Sequence, residues 1–268
     1  MHIFNKYYSL LVLMLMSLML LYCSTNCRKQ DNDQFHDAVL NYRTLMDAYP
    51  YSEGKDAYVL KYSGFELSFN PEHRQANWVI YLHTREKLEG DVKRTNDFRP
   101  DPNLGNLSAS LDDYKNSGYD RGHLAPAGDM KWSLKAMSES FLLSNISPQV
   151  PKFNQGIWLK LEDLMREWTS LHDSIIIITG PILSDNLNHI GANRVSVPDF
   201  YYKAVLNISY GKYKAIAFML RNENSQEPIS SFVISIDSLE TVSGFDFFHN
   251  LNPEVIKPLK RHSEYSVW

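Results

Sequence analysis

Within Gly118-Tyr119-Asp120-Arg121-Gly122-His123-Leu124-Ala125-Pro126 an acid, a cation and an imidazole stand almost side by side, with one glycine between the last two. Histidine can take a proton from water near neutral pH, because its ordinary pKa lies there. Arg121 raises the positive potential around His123 and so favours the neutral ring that can act as a base. Gly122 lets the backbone turn or come close to a ligand. Asp120 is placed to orient His123 or a nearby arginine, or simply to make a turn. The chain has nine histidines, and most histidines do no more than hydrogen-bond within a fold, so the surroundings must carry the argument.

Downstream, Ile157, Leu161, Leu164, Met165 and Trp168 recur at helical intervals and predict one amphipathic helix over residues 154–168. Asn154, Glu162 and Arg166 are separated by multiples of four, so on a continuous helix they share a side beside the apolar stripe. An asparagine oxygen there can meet a hard divalent cation, and a glutamate can hold the water such an ion keeps. The bland alternatives are an N-cap for Asn154 and a surface ion pair for Glu162 with Arg166. Asn145, before Ser147-Pro148, reads by default as a turn residue.

Upstream, residues 97–117 carry Pro100, Pro102, Gly105 and several Asp and Ser, which predicts a long loop delivering the chain to His123. Arg94 and Arg99 precede it with Lys93. Such a run is commonly a solvated cluster, but a cation able to grip a phosphate is useful here, and Arg94 is the candidate. Short apolar runs at 64–69, 78–82, 174–179, 200–208, 214–220 and 232–236, separated by turn signals, read as strands. Residues 238–248 read as a closing helix and turn. The whole predicts an α+β fold, a mixed, mainly antiparallel central sheet flanked by helices.

At 268 residues, 44% apolar and 22% charged, the chain can bury a substantial core. A formal charge of -4 offers no global attraction to nucleic acid, so any polyphosphate would have to be met by local positive potential in one groove. Lys6 precedes an apolar run over residues 7–22 and then a polar stretch. That pattern predicts export, by a cleaved signal, an uncleaved membrane anchor, or lipid attachment at Cys23. The expected divisions are 1–27 as signal or anchor, 28–57 as an N-terminal leader with helical spacing, and 58–268 as the catalytic domain. The location expected is periplasmic, secreted or membrane-anchored, not cytoplasmic. Cys23 and Cys27 are the only cysteines, so residues 28–268 have no disulfide framework and no thiolate metal site.

A base, a hard-cation site and phosphate-gripping arginines are the parts that phosphodiester hydrolysis requires. A zinc hydrolase is disfavoured, since no His-x-x-x-His pattern or cysteine cluster surrounds His123. Two other readings compete. One is a catalytically inactive pseudonuclease kept as a binding module, which loss of the base or ligand would favour. The other is a metal phosphoesterase acting on small nucleotides, which would need a closed pocket instead of an open groove.

These residues resemble the family of DNA/RNA non-specific endonucleases, whose site is a ββα-metal or His-Me finger. The likeness rests on Asp120-Arg121-Gly122-His123, on Asn145 within Leu143-Ser144-Asn145-Ile146-Ser147-Pro148-Gln149, and on Asn154 within Phe153-Asn154-Gln155-Gly156-Ile157-Trp158 with Glu162 following. Thr179-Gly180-Pro181, Val197-Pro198 leading to Lys203, and Gly244-Phe245-Asp246-Phe247-Phe248 match in kind, so the likeness covers residues 62–251. The resemblance implies His123 as general base, Asn154 as the single direct protein ligand of Mg²⁺ or Mn²⁺, and Glu162 as a carboxylate holding metal-bound water. It implies Arg94, Arg121 and Arg166 on the scissile phosphate, Asn145 in support of the catalytic set, and DNA and RNA as substrates cut to 5′-phosphorylated ends. Phosphate contacts carry no base information, which fits broad specificity.

Overall fold

The computed structural model describes residues 45–53, 58–207 and 213–268. The 1–27 segment and most of the 28–57 leader lie outside the described residues. The described residues belong to one compact unit.

Strands β1 (Val59–Lys61), β2 (Glu66–Asn70), β3 (Gln75–Thr84), β6 (Ser174–Pro181), β9 (Phe200–Asn207), β10 (Lys214–Arg221) and β11 (Val233–Ile234) form the central sheet. Its order is β1-β2-β3-β6-β9-β10-β11, and each of these pairings is antiparallel. Two ribbons stand apart from it, β4 (Asp120–His123) with β5 (Ile146–Gln149), and β7 (Asn188–Ile190) with β8 (Val195–Val197). The longer helices are α1 (Leu134–Glu139), α2 (Leu159–His172), α3 (Ile236–Ser243) and α4 (Pro253–Arg261).

The unbroken run Ile175 to Ile178 is fully buried, as a central strand covered on both faces requires. Each such side chain contributes about 1.5–3 kcal/mol by leaving water. Ile175 and Ile177 pack in one core with Val79, Tyr81 and Val205 from the sheet and Leu161, Met165 and Trp168 from α2. On the other face Tyr49 lies 5.0 Å from Trp78, and Tyr202 meets Phe247 at 5.5 Å. Residues 45–51, assigned by sequence to the leader, are therefore part of the packed unit. Ala48 is buried, and Tyr51 exchanges backbone hydrogen bonds with Asp246.

Three elements depart from the expectation. Residues 232–236 are mostly not strand, because Ser235 accepts a hydrogen bond from the Ser238 amide at 3.1 Å and starts α3. The capping signal overrides the apolar run. Helix α4 went unread, although Asn252 before Pro253 is a helix-start signature. Residues 97–117 are no open loop. Short helical turns at Gly105–Leu107 and Leu111–Tyr114 bring Tyr114 into a small core with Ile146 and Val195. The Asp113 carboxylate accepts from the Asn193 amide at 3.0 Å and from Asn193 Nδ2 at 2.8 Å, which ties this segment to the β7–β8 ribbon.

Candidate active site

β4 carries the Asp-Arg-Gly-His tetrad and pairs antiparallel with β5, Asp120 facing Gln149 and His123 facing Ile146. A side chain at position 122 has no room, since an added Cβ would lie 2.2 Å from the Gln149 side chain. The glycine is thus a packing requirement of the ribbon. Beyond it, Asn145 holds the chain like a clamp. Its Oδ1 accepts from the Ala125 amide at 2.9 Å, while Nδ2 donates to the carbonyls of Ala125 (2.9 Å) and Ser140 (2.8 Å). Asn145 is fully buried and its amide is spent on backbone. Its amide holds the turn that follows His123.

The expected continuous helix over 154–168 is broken. Phe153–Trp158 forms a wide helical turn that departs from helical geometry at Gly156 (φ -112°, ψ -107°) before α2 begins at Leu159. Glycine tolerates such a conformation, and irregular turns of this kind recur at functional sites. Asn154 therefore precedes the break while Glu162 and Arg166 follow it on α2. The shared-face argument holds only for the latter two.

Strand and turn are tied at both ends. Asn154 Nδ2 donates to Asp120 Oδ2 at 2.9 Å, as does Gln155 Nε2 at 2.8 Å. Trp158 Nε1 donates to the His123 carbonyl at 3.4 Å. Asp120 thus orients the asparagine, where the sequence reading placed it against His123 or an arginine. With Nδ2 engaged, the Asn154 oxygen is the atom left to meet a cation. A hard amide oxygen suits Mg²⁺, which keeps several waters and takes few protein ligands. Among the described residues there is no cluster of three or more His, Cys, Asp or Glu able to hold a metal.

His123 is buried and packed against rings. It lies 5.4 Å from Phe98 and 4.9 Å from Phe141, which contact each other at 4.8 Å. An arginine covers each phenyl ring. The Arg121 guanidinium sits 4.2 Å from the Phe98 ring centre and that of Arg94 sits 4.8 Å from Phe141. Burial first, then Arg94 and Arg121, push the imidazole down to about 3, so it is neutral at ordinary pH. Nε2 is enclosed with no hydrogen-bond partner. Arg94 also lies within electrostatic range of Glu162, which brings it to the site. Arg99 is committed elsewhere, to Asp97 at 2.8 Å and the Ser138 carbonyl at 2.9 Å.

Glu162 is 9% exposed, and burial raises its pKa against the opposing pull of Lys203. Arg166 is held on both terminal nitrogens, by Asp129 and by Asp163, each at 2.6 Å. Tyr81 donates to the other Asp129 oxygen at 2.9 Å. Asp129, Phe98, Phe141 and Tyr81 were not singled out from sequence. Lys203 was noted only as part of a matching segment, yet a lone lysine within the apolar run Phe200-Tyr201-Tyr202-Lys203-Ala204-Val205 is itself a signal, because lysine is almost never fully buried unless paired.

Beside Arg121 and Asn154 opens a groove of about 500 Å³, lined also by Phe98, Tyr119, Asp120 and Lys115. A second cavity of about 330 Å³, around His73, Asn77 and Asp185, contains none of the expected site residues.

The family model described as DNA/RNA non-specific endonuclease matches residues 44–254. Human mitochondrial endonuclease G is 35% identical over 202 residues, covering 70% of this chain and 68% of that protein. Human mitochondrial nuclease EXOG is 35% identical over 209 residues, covering 71% of this chain and 57% of its own length. Nuclease C1 of Cunninghamella echinulata var. echinulata is 34% identical over 223 residues, covering 75% and 86%. Among solved structures, EndoG in an EndoG/EndoGI complex superposes with a TM-score of 0.69 at 32% identity, over 73% of this chain and 87% of that one. These relatives overturn the expectation of export. Several are mitochondrial nucleases. Among the described residues, which do not include 7–22, no helix is long and apolar enough to cross a membrane. An apolar run with one preceding lysine is a compositional signal that does not specify which membrane system reads it.

Proposed function

We propose, from the premise that this chain belongs to the DNA/RNA non-specific endonuclease family and is a nuclease cleaving phosphodiester bonds, that it is a Mg²⁺-dependent endonuclease hydrolysing both DNA and RNA to 5′-phosphorylated products. One observation carries this reading. A neutral His123, flanked by Arg94 and Arg121, stands on the strand whose first residue holds the Asn154 amide.

Because Nε2 is buried with no hydrogen-bond partner and the ring packs against Phe98 and Phe141, the lone pair that takes a proton from the attacking water is on Nδ1. Its lowered proton affinity keeps that lone pair vacant at neutral pH. Arg121 and Arg94 bind the phosphate and offset the charge that grows on its oxygens. Asn154 and Glu162 would hold Mg²⁺, Asn154 directly and Glu162 through water, and the bound ion supplies charge relief at the phosphate and at the departing oxygen. Asn145 keeps the turn after His123 rigid, and Arg166, fixed by Asp129, presents its remaining face toward the phosphate. The groove lined by Lys115, Tyr119 and Arg121 gives a polymer a path beside Arg121 and Asn154.

The test is digestion of plasmid DNA, single-stranded DNA and RNA with Mg²⁺, with Mn²⁺ and with a chelator, followed by end-group analysis. All three substrates should be cut to 5′-phosphate ends only when metal is present. Cleavage that persists after exhaustive chelation, or 3′-phosphate ends, would refute the reading.

A further inference from the structure

A tight turn that ends at β4 forms part of the groove beside Arg121. The Tyr114 carbonyl accepts from the Ser117 amide at 3.2 Å, and the chain between them passes through Lys115 (φ -65°, ψ 122°) and Asn116 (φ 57°). Those angles make a type II turn, with Lys115 at its first corner and asparagine, which tolerates the left-handed region, at its second. Ser117 Oγ donates to the same carbonyl at 2.9 Å and accepts from the Tyr119 amide at 3.2 Å, which joins the turn to the strand. The Tyr114 hydroxyl donates at 3.4 Å to the carbonyl of Ile146, the residue that faces His123 across the ribbon. Lys115 is therefore held in a set place relative to the strand that carries His123.

The charges lining this groove are unequally committed. Asp120 is turned to two amide donors, those of Asn154 and Gln155. Among the described residues the side chains of Lys115 and Arg121 make no hydrogen bond or ion pair, and Arg121 touches only the Phe98 ring. Asp112 is the other acid of the lining.

Tyr119 lines this groove and also a smaller hollow of about 100 Å³ that contains Asp199, Arg221 and Glu223. It packs against a small core of Tyr114, Ile146, Val195 and Val197, so the ring is backed by packed side chains. The hollow is poor footing for a polyanion. Arg221 is paired with Glu223 at 3.5 Å and lies 5.1 Å from the Phe200 ring centre, and Asp199 adds a second acid. Charge thus directs a strand from Arg121 toward Lys115 and not across Tyr119 to Arg221.

We propose that Lys115 and Tyr119 form a subsite for the nucleotide beside the cleaved linkage, Lys115 binding its outer phosphate and Tyr119 offering an aromatic face to its base. The inference rests on the reading of this groove as the path of the nucleic acid, and adds to it a second phosphate contact remote from the bond that breaks. Neither contact reads base identity, since every linkage has a phosphate and every base a flat face.

The experiment follows binding of a labelled single-stranded oligonucleotide to the full chain by anisotropy, in chelator and over a range of salt, alongside kcat and KM in Mg²⁺. Losing one phosphate contact flattens the slope of log affinity against log salt by about 0.7. K115M should show that change, keep the parental thermal midpoint and raise KM more than it lowers kcat. Y119L should bind roughly tenfold more weakly with the slope unchanged, because a stacking contact releases no counterions, and Y119W should recover most of the affinity. R221A should leave the slope as it is. A K115M slope equal to the parent's would overturn the proposal, as would an R221A slope that flattens as far as K115M's or a Y119W affinity no better than that of Y119L. If Y119L does not fold, the exposed Lys115 still decides the matter through its slope. An unaltered chain that cuts neither DNA nor RNA would sink the nuclease reading itself, whereas one that cuts both while K115M keeps the parental slope would sink the subsite alone.

Discussion

Asp120 accepts a hydrogen bond from Asn154 Nδ2 at 2.9 Å and a second from Gln155 at 2.8 Å, so the first residue of the tetrad sets which way the amide faces. Asp120→Ala should free that amide to rotate. We expect Mn²⁺ affinity to fall by roughly tenfold, the usual scale for losing an outer partner of a metal ligand, with Asp120→Asn retaining part of it. Calorimetric titration checks this, and unchanged affinity in Asp120→Ala would show that the amide is oriented by something else.

His123→Ala should reduce kcat by roughly 10²–10⁴-fold, the range for a positioned general base. The same variant reports on acid stability. In the unfolded chain the ring takes a proton near its ordinary value of 6.5, whereas in the fold it does so only at about 3. Between those values the unfolded state binds more protons, so stability falls as the pH drops through that window. His123→Ala should unfold at lower pH than the parent relative to its own neutral stability. A parallel pair of acid-unfolding curves would show that the ring is not held neutral by the fold.

Arg94→Ala and Arg99→Ala should separate cleanly. Arg94 lies over Phe141 and senses His123 and Glu162, so its loss should cost roughly tenfold or more in kcat/KM and flatten the salt dependence of DNA binding. Arg99 bonds Asp97 and the Ser138 carbonyl, and its loss should lower stability by about 1 kcal/mol with specific activity intact. Equal kinetic losses would undo the distinction.

Gly122→Ala should be destabilising by about 1–3 kcal/mol, because the new methyl group enters the space of a buried Gln149 side chain. Denaturant melts of Gly122→Ala and of Gly122→Ala with Gln149→Ala test the cause. The second change should restore part of the loss; failure to do so would place the strain in the backbone instead.

Much of this was legible in residue order. Apolar periodicity revealed the long helix and most of the sheet, because Leu161, Met165 and Trp168 on α2 and Ile175 to Ile178 on β6 face a common core. Arg94 is preferred over Arg99 in sequence without a local signal that separates them, since only the folded chain brings one to His123 and the other to Ser138. Asn145 looks like a turn residue in sequence because Ala125, which it bonds through both its amide oxygen and its amide nitrogen, lies 20 residues away. The break at Gly156 was hidden by a helical pattern that continues on both sides of it. The rings around His123 come from Phe98 and Phe141, which are ordinary core residues until the fold assembles them.

The interruption at Gly156 divides the allegiance of the two proposed oxygen donors. Asn154 moves with the β-ribbon through Asp120, whereas Glu162 rides on a helix anchored to the main sheet. A disturbance that slides the helix would misplace the carboxylate and spare the amide, and one that loosens the ribbon would do the opposite. The proposed catalytic centre is therefore a joint between separately supported parts, and its alignment reports on the integrity of both.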